Sequence, residues 1–276
     1  MMHAGAVTMD DGEYLTRSVE RRRILLESWR RFTEVLPQMR RPWWAVLVWG
    51  GAVFVCGLGL LLGWLVARGL RYGPLLVEGV FVLSSIALMF AGFRHHRPAY
   101  RQRYGKLAYR QLFLRFLLPA LVTGLAAGCF PLLVAGRPAL PSVIAYAAIA
   151  YLLLSMRLLE LRGKEIVWDV ELRAFVYSVF PERGRVLTAG IFQWLRHPVY
   201  SGMMRAVFAL ALLRNNWSAF LCAACSAAGL WLWARAEERD LEQQDAAYAA
   251  YRRRVPAFFA MRPVRFWRFL ATGDTG

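Results

Sequence analysis

The sequence predicts an all-α fold, a polytopic transmembrane helical bundle of about six spans, and three observations lead there. Uncharged apolar runs recur at 42–67, 116–136, 138–156 and 215–234, each of 19 residues or more. About 20 residues of helix cross a hydrocarbon core of roughly 30 Å. Within these runs the polar residues that a soluble bundle shows every few positions are missing. The basic residues, finally, collect in alternate loops, as they do in membrane proteins of fixed orientation.

Taken in order, residues 1–41 form a first segment. Leu15, Val19, Leu25, Trp29, Phe32 and Leu36 recur at helical spacing among Arg and Glu, so an interfacial amphipathic N-terminal helix is expected here. Asp10, Asp11, Glu13 and Arg21-Arg22-Arg23 precede any apolar stretch, and no signal peptide is expected. Residues 42–160 then hold four transmembrane helices, the second over 73–93 with the single acid Glu78 near its start. Residues 161–276 hold a transmembrane hairpin and a tail. Its first arm, 199–213, is short and interrupted by Arg205; its second is 215–234, with the turn expected at Arg214-Asn215-Asn216. An amphipathic helix should continue through Leu241, Tyr248 and Tyr251 to Val255-Pro256.

Eight Arg lie in 1–41, two in 68–72, seven Lys or Arg in 94–115, one at 137, seven in 157–196, one at 214 and eight from 235 onward. This heavy–light alternation places both termini and both large loops in the cytoplasm. The net charge of +17 then reads as orientation and attraction to anionic lipids, at about 1 kcal/mol per basic residue near the surface. Nucleic acid is not an expected partner, because the charge is spread over four segments instead of one soluble face. Arg outnumbers Lys 33 to 2, which suggests a bacterial genome and hence the bacterial inner membrane. Cys56, Cys129, Cys222 and Cys225 all fall within spans; with no second pair near Cys222-Ala-Ala-Cys225, they read as packing residues and no metal site is expected.

The stretch Arg196-His197-Pro198-Val199-Tyr200-Ser201-Gly202 carries the chemistry. Pro198 suits the first turn of a helix. Arg196 and His197 stand just before it, so two cations and the free N–H groups of a helix start make an anion site. Gly190 allows a turn and a close backbone approach, Tyr200 offers a ring with a hydroxyl, and Gly202 leaves a gap in the helix surface. A hairpin about Arg214–Asn216 brings Arg196 level with Ala234, and Glu237 and Glu238 lie about one turn beyond it. Adjacent carboxylates cannot share a helix face, so one meets the Arg/His cluster, with Glu238 favoured. Arg235 and Arg239 are near enough to pair with the other. Arg196 and Glu238 are the candidate catalytic residues.

Leu187-Thr-x-Gly190-x-x-x-Trp194-x-Arg196-His197-Pro198-x-Tyr200-x-Gly202, followed by Glu237-Glu238-x-x-Leu241 and Tyr248-x-x-Tyr251-Arg-Arg-Arg-Val255-Pro256, resembles the integral-membrane methyltransferases. These are the isoprenylcysteine carboxyl methyltransferases and the related phospholipid N-methyltransferases. The resemblance covers about Trp168 to Pro256. It implies S-adenosylmethionine bound on the cytoplasmic side and a lipid-like acceptor, an isoprenoid or phospholipid derivative, entering from the bilayer. It further implies that the cofactor is held by the backbone around Arg185, Val186 and Leu187, by Phe192, His197 and Tyr200, and by Glu237 or Glu238. The family often has Tyr where this chain has Phe192. The residues fit the cofactor independently: Arg196 and His197 suit its carboxylate, a Glu its ammonium or ribose, and Phe192 or Trp194 its adenine.

Arg205, Met204 and Arg235 are the candidate substrate residues. Val199, Met203, Met204, Val207 and Phe208 suit a lipid tail. A buried Arg in a span needs a partner; Arg205 either faces the cavity and meets the acceptor's headgroup or pairs with Glu78 to close the bundle. His95-His96-Arg97-Pro98-Ala99-Tyr100 looks like a second motif copy but lacks a following acid pair, and reads as an interfacial segment. Two other functions compete: an NADPH-dependent membrane reductase of the sterol type, and a non-catalytic membrane protein.

Overall fold

The protein is seen in a computed structural model. The structure describes residues 36–179, 188 and 190–273, with isolated positions 26, 30 and 33; side chains at 38, 106, 163–179 and 244 are excluded. The expected interfacial helix before residue 36 lies largely outside the described residues, as do Arg185, Val186 and Leu187.

Eight helices carry the fold, and no strand occurs among the described residues. Helix α1, Pro42–Gly69, begins on a proline whose missing N–H costs nothing in a first turn. Its exposed side is a continuous apolar surface, suited to lipid. Its buried residues are Cys56, Gly63 and Ala67, small ones that let the next helix approach closely. A Cβ at Gly63 would stand 2.8 Å from Val77 Cγ1 across that seam.

Helix α2, Gly73–Tyr104, and helix α3, Ala108–Leu133, are both longer than their apolar runs. Each relaxes into a π-helical turn, at Ala91–His96 and Phe113–Leu117 respectively. The cause is the same in both: Pro98 and Pro119 supply no N–H, and the ladder widens just before them. Helix α4, Ser142–Val179, starts four residues later than the uncharged run, because Pro138 and Pro141 keep the chain extended. Its 38 residues span about 57 Å, so its second half projects beyond the bilayer thickness.

The hairpin consists of α5, Pro198–Arg214, and α6, Trp217–Gln244. Asn215 turns the corner in the left-handed region at φ 48°, and Asn216 caps α6 by accepting from Ala219 N at 2.9 Å. Asn215 Nδ2 donates to Leu140 O at 2.8 Å, and Asn216 Nδ2 to Val134 O at 3.0 Å. The turn is thus tied to the loop that ends α3 and begins α4.

Among the described residues, five helices are long and apolar enough to cross a membrane: α1, α2, α3, the first half of α4, and α6. The chain is an integral membrane protein. The sixth expected span is α5, and it differs: at 17 residues it is about 25 Å long, short of a bilayer core. It packs between α4 and α6, with its far end on the α3–α4 loop, so protein covers both its long sides. A second difference lies beyond α6. The amphipathic helix does not run on, because Asp245 turns back to accept Ala247 N at 2.8 Å, an Asx turn that ends α6. The chain restarts as α7, Tyr248–Arg254, and ends in α8, Pro263–Thr272.

Candidate active site

Where α5 begins, the backbone is held by the tail after α7. Gly190, at φ 60°, turns the chain into a short 3-10 turn, Gly190–Gln193, and Ile191 within it and Leu195 just after it are fully buried. Arg196 N then donates to Pro256 O at 2.9 Å and His197 N to Ala257 O at 3.0 Å. Ser201 Oγ donates to Phe258 O at 2.6 Å, one turn into α5. Tyr251 of α7 donates its hydroxyl to Phe192 O at 2.6 Å. Burial pushes that phenol up to about 12, so it remains a donor throughout the physiological range. Pro256-Ala257 therefore seats Arg196 and His197 by backbone pairing.

Those two side chains converge on Glu238, which is 1% exposed. Arg196 Nη2 stands 2.9 Å and His197 Nε2 3.0 Å from the same oxygen, Glu238 Oε1. Arg235 Nη1 and Arg252 Nε lie 3.8 and 3.9 Å from the buried carboxylate's other oxygen. Arg196 also donates to Arg252 O, and Arg252 donates to Glu242 Oε1 at 2.6 Å. Glu237, on the next face, has a half-exposed side chain with Oε2 3.8 Å from His197 Nδ1. Above the His197 ring lie Tyr200, at 5.4 Å between centroids and 29° between planes, and Phe258 at 5.7 Å. Glu238 Oε2 and Arg196 Nε are buried without a hydrogen-bond partner among the described residues. Such orphaned polar atoms cost free energy unless a ligand completes them.

Arg196, His197, Tyr200, Glu237, Glu238 and Arg235 are thus gathered in one place, while other sequence candidates lie elsewhere. Trp194 stacks on Phe269 at 5.6 Å and 25°, and Phe192 is buried in the same cluster with Leu159 and Phe266. Both rings belong to the core under α8, a helix with no part in the motif, so neither lies open to an adenine. Met204 is also buried, against Ala234 and Phe258. Gly202 keeps open space: a Cβ there would meet nothing within 4 Å.

Arg205 does not pair with Glu78, one of the two alternatives the sequence left. It donates to Ser201 O at 2.9 Å and to the Ser201 hydroxyl, with its guanidinium 5.8 Å over the Phe259 ring. Glu78 instead accepts from Ser226. Arg205 therefore clamps the Ser201–Phe258 joint that packs on His197. Arginine in a span costs about 2.5–3.5 kcal/mol, while two hydrogen bonds from a charged group return about 3 kcal/mol. These nearly cancel, so Arg205→Met is expected to shift the melting temperature little. It should nonetheless loosen the tail and weaken ligand binding at His197, read by calorimetry; a large loss of fold stability would mean the side chain closes the bundle.

Directly along the hairpin from this cluster lies a cavity of about 390 Å³ between α2, α3, α5 and α6. Met203 and Trp233 line the end nearer the cluster, and Trp233 precedes Glu238 by five residues, about 7.5 Å of helix. Val82, Ser85, Gly128 and Ser226 line it further along. Arg205 is not on its wall: two residues from Met203 is about 200° around a helix.

An apolar cavity within the spans, with a buried cluster of charge further along the same hairpin at a helix start, is the arrangement to set against known families. Residues 144–244 match the family model of the phospholipid methyltransferases. The match bears out the sequence resemblance at the level of the superfamily, and it makes methyl transfer the coarse class of activity. No curated protein and no solved structure matches the chain. The matched methyltransferase region begins within the first turn of α4, earlier than the motifs alone indicate, and stops at the end of α6. Arg252, Tyr251, Ser201 and Phe258 complete the site and received no individual role from the sequence, although Tyr248-x-x-Tyr251-Arg252 and the Arg196–Gly202 stretch contained the first three. The walls supplied by α2 and α3 lie outside the methyltransferase match and had no sequence signal.

Proposed function

We propose that this protein transfers a methyl group from S-adenosylmethionine to a membrane-resident amphiphile, an isoprenoid, phospholipid or related lipid. The observation that carries the reading is the buried Arg196–Glu238–His197 cluster, which lies inside the family-matched region and on the same hairpin as an apolar cavity. The donor set suits the cofactor. Arg196, through its orphaned Nε, and His197 would hold its carboxylate; Glu238, through its orphaned Oε2, would hold its ammonium. Tyr200 and the open surface at Gly202 flank them. When bound, S-adenosylmethionine supplies a methyl on a sulfonium, open to in-line displacement.

The chain's own contribution is position. Backbone pairing at Arg196 and His197 fixes the two side chains, Tyr200 and Phe258 pack against the imidazole, and the tail shields the cluster from water. The acceptor's hydrocarbon would lie in the 390 Å³ cavity, with its head toward Met203 and Trp233. By the charge of the loops this end of the bundle faces the cytoplasm, together with both termini.

S-Adenosylhomocysteine should raise the melting temperature of the detergent-purified protein. At a hundredfold excess over its dissociation constant the gain is about 2.7 kcal/mol. NADPH should leave calorimetry flat. A response to NADPH with none to S-adenosylhomocysteine would replace the methyltransferase with a reductase, and a response to neither would leave a non-catalytic membrane protein.

A further inference from the structure

The cavity's polar atoms are few, and their hydrogen bonds define what it accepts. Ser85 lines it from α2 and donates its hydroxyl to Ala120 O at 2.7 Å. Ser226 lines it from α6 and donates to Glu78 Oε1. A serine has one O–H to give and two lone pairs to receive. Both serines have spent their donors on the protein, so toward the cavity each offers only an acceptor.

Glu78 sharpens the point at Ser226. It is 0% exposed, with one oxygen on Ser226 and the other without a hydrogen-bond partner among the described residues. No cation pairs with it among the described residues. An ionisable residue buried in a span is costly and calls for a role. A carboxyl accepting from Ser226 polarises that hydroxyl and makes Ser226 Oγ the stronger acceptor for a third group. The closest approach on this wall is Gly229 of α6 against Val82, one turn along α2 from Glu78; a Cβ on Gly229 would lie 2.8 Å from Val82 Cγ1. The two helices are therefore in close contact where Glu78 and Ser226 meet.

We propose that the cavity selects a hydrocarbon chain carrying a hydroxyl, which donates to Ser226 Oγ backed by Glu78. The inference rests on the reading of this cavity as the seat of the acceptor's chain. Ser226 lies 12 residues before Glu238, about 18 Å along α6, so the hydroxyl belongs well down the chain and away from the reacting head. An unsubstituted chain leaves the two acceptors unmet in an otherwise apolar space; a hydroxyl satisfies one and loses no partner of its own.

Trp233 reports occupancy. In the purified full chain, 9,10-dibromostearate should quench the part of the tryptophan emission that Trp233→Phe removes. Displacement of that probe by 12-hydroxystearate should be about tenfold better than by stearate, the equivalent of 1.4 kcal/mol. Ser226→Ala should bring the two to equal potency, and Ser226→Thr should keep the preference. Equal displacement in the wild type overturns the proposal without any variant having to fold. So does an absence of Trp233-specific quenching, or a Ser226→Ala protein that weakens both chains alike, which is what a purely structural hydroxyl would do. The S-adenosylhomocysteine melting shift on the same preparation fails or succeeds independently, and so separates an error about the chain from an error about the methyltransferase.

Discussion

Glu238→Gln is expected to lower affinity for S-adenosylhomocysteine more than a hundredfold, whereas Glu237→Gln changes it less than about threefold. The two residues are neighbours of the same charge, and only packing divides them. Glu238 is 1% exposed, with Arg196 and His197 on one oxygen and two further guanidinium groups within 3.9 Å of the other. In a binding site, losing one partner of a buried, hydrogen-bonded charge pair costs about 2–5 kcal/mol, because the other charge, here the cofactor's ammonium, is left buried and unpaired. Glutamine keeps an acceptor, so the lower half of that range applies; about 3 kcal/mol is somewhat more than a hundredfold in binding. The Glu237 side chain is 40% exposed, and His197 Nδ1 stands 3.8 Å from its Oε2. Changes at such surface positions stay within about 0.5 kcal/mol, and an exposed pair is screened by solvent besides. Melting curves and calorimetry of the two variants, each shown to be folded, decide the matter. Similar small effects at both positions would reduce the acid pair to a solvated helix face and remove the cofactor reading's principal support.

What the sequence makes legible here is whatever depends on distance along the chain. Absence of charge over about 20 residues needs no partner to be read, so the spans at α1, α3, α4 and α6 follow directly from it, and that at α2 with the one acid Glu78. The Arg214–Asn216 turn is equally local, because an Asn in the left-handed region and an Asn N-cap are properties of two adjacent residues. Given that turn, helical rise alone sets Glu238 beside Arg196. Direction around a helix and pairing between distant segments are less legible. Arg205 stands between Met203 and Val207 in sequence, yet it points away from the cavity those residues line, and no charge count reveals which side of α5 is which. Phe192 and Trp194 look available for a flat ligand until α8 is seen to carry Phe266 and Phe269 over them. The break at Asp245 escapes a reading by apolar period because the period resumes in α7. The cavity itself is a product of four helices, two of them outside any recognisable motif.

Replacing Ala206 with tryptophan is expected to abolish methyl transfer to bilayer acceptors while leaving S-adenosylhomocysteine binding intact. Ala206 lines the cavity from α5, on the same wall as Met203 and Leu210 and one turn from each. An indole there occupies space that an acceptor's chain would need, and it enters the opening without displacing a packed neighbour. That distinguishes it from an ordinary small-to-large core change, which forces side chains off their rotamers at about 1–3 kcal/mol. The cofactor cluster is built from Arg196, His197 and Glu238 at the end of the hairpin, and none of these lines the cavity. Binding of the cofactor product and occupation of the cavity are therefore separable by one substitution. Leu213→Trp supplies the control: Leu213 is 55% exposed on the apolar surface of the same helix, where an indole meets lipid and should leave transfer at the wild-type rate. Transfer would be followed with radiolabelled S-adenosylmethionine in vesicles made from lipids of the native membrane. If folded Ala206→Trp protein methylates bilayer lipid as fast as wild type, the acceptor's chain lies elsewhere, and the cavity between α2, α3, α5 and α6 loses its part in the reaction.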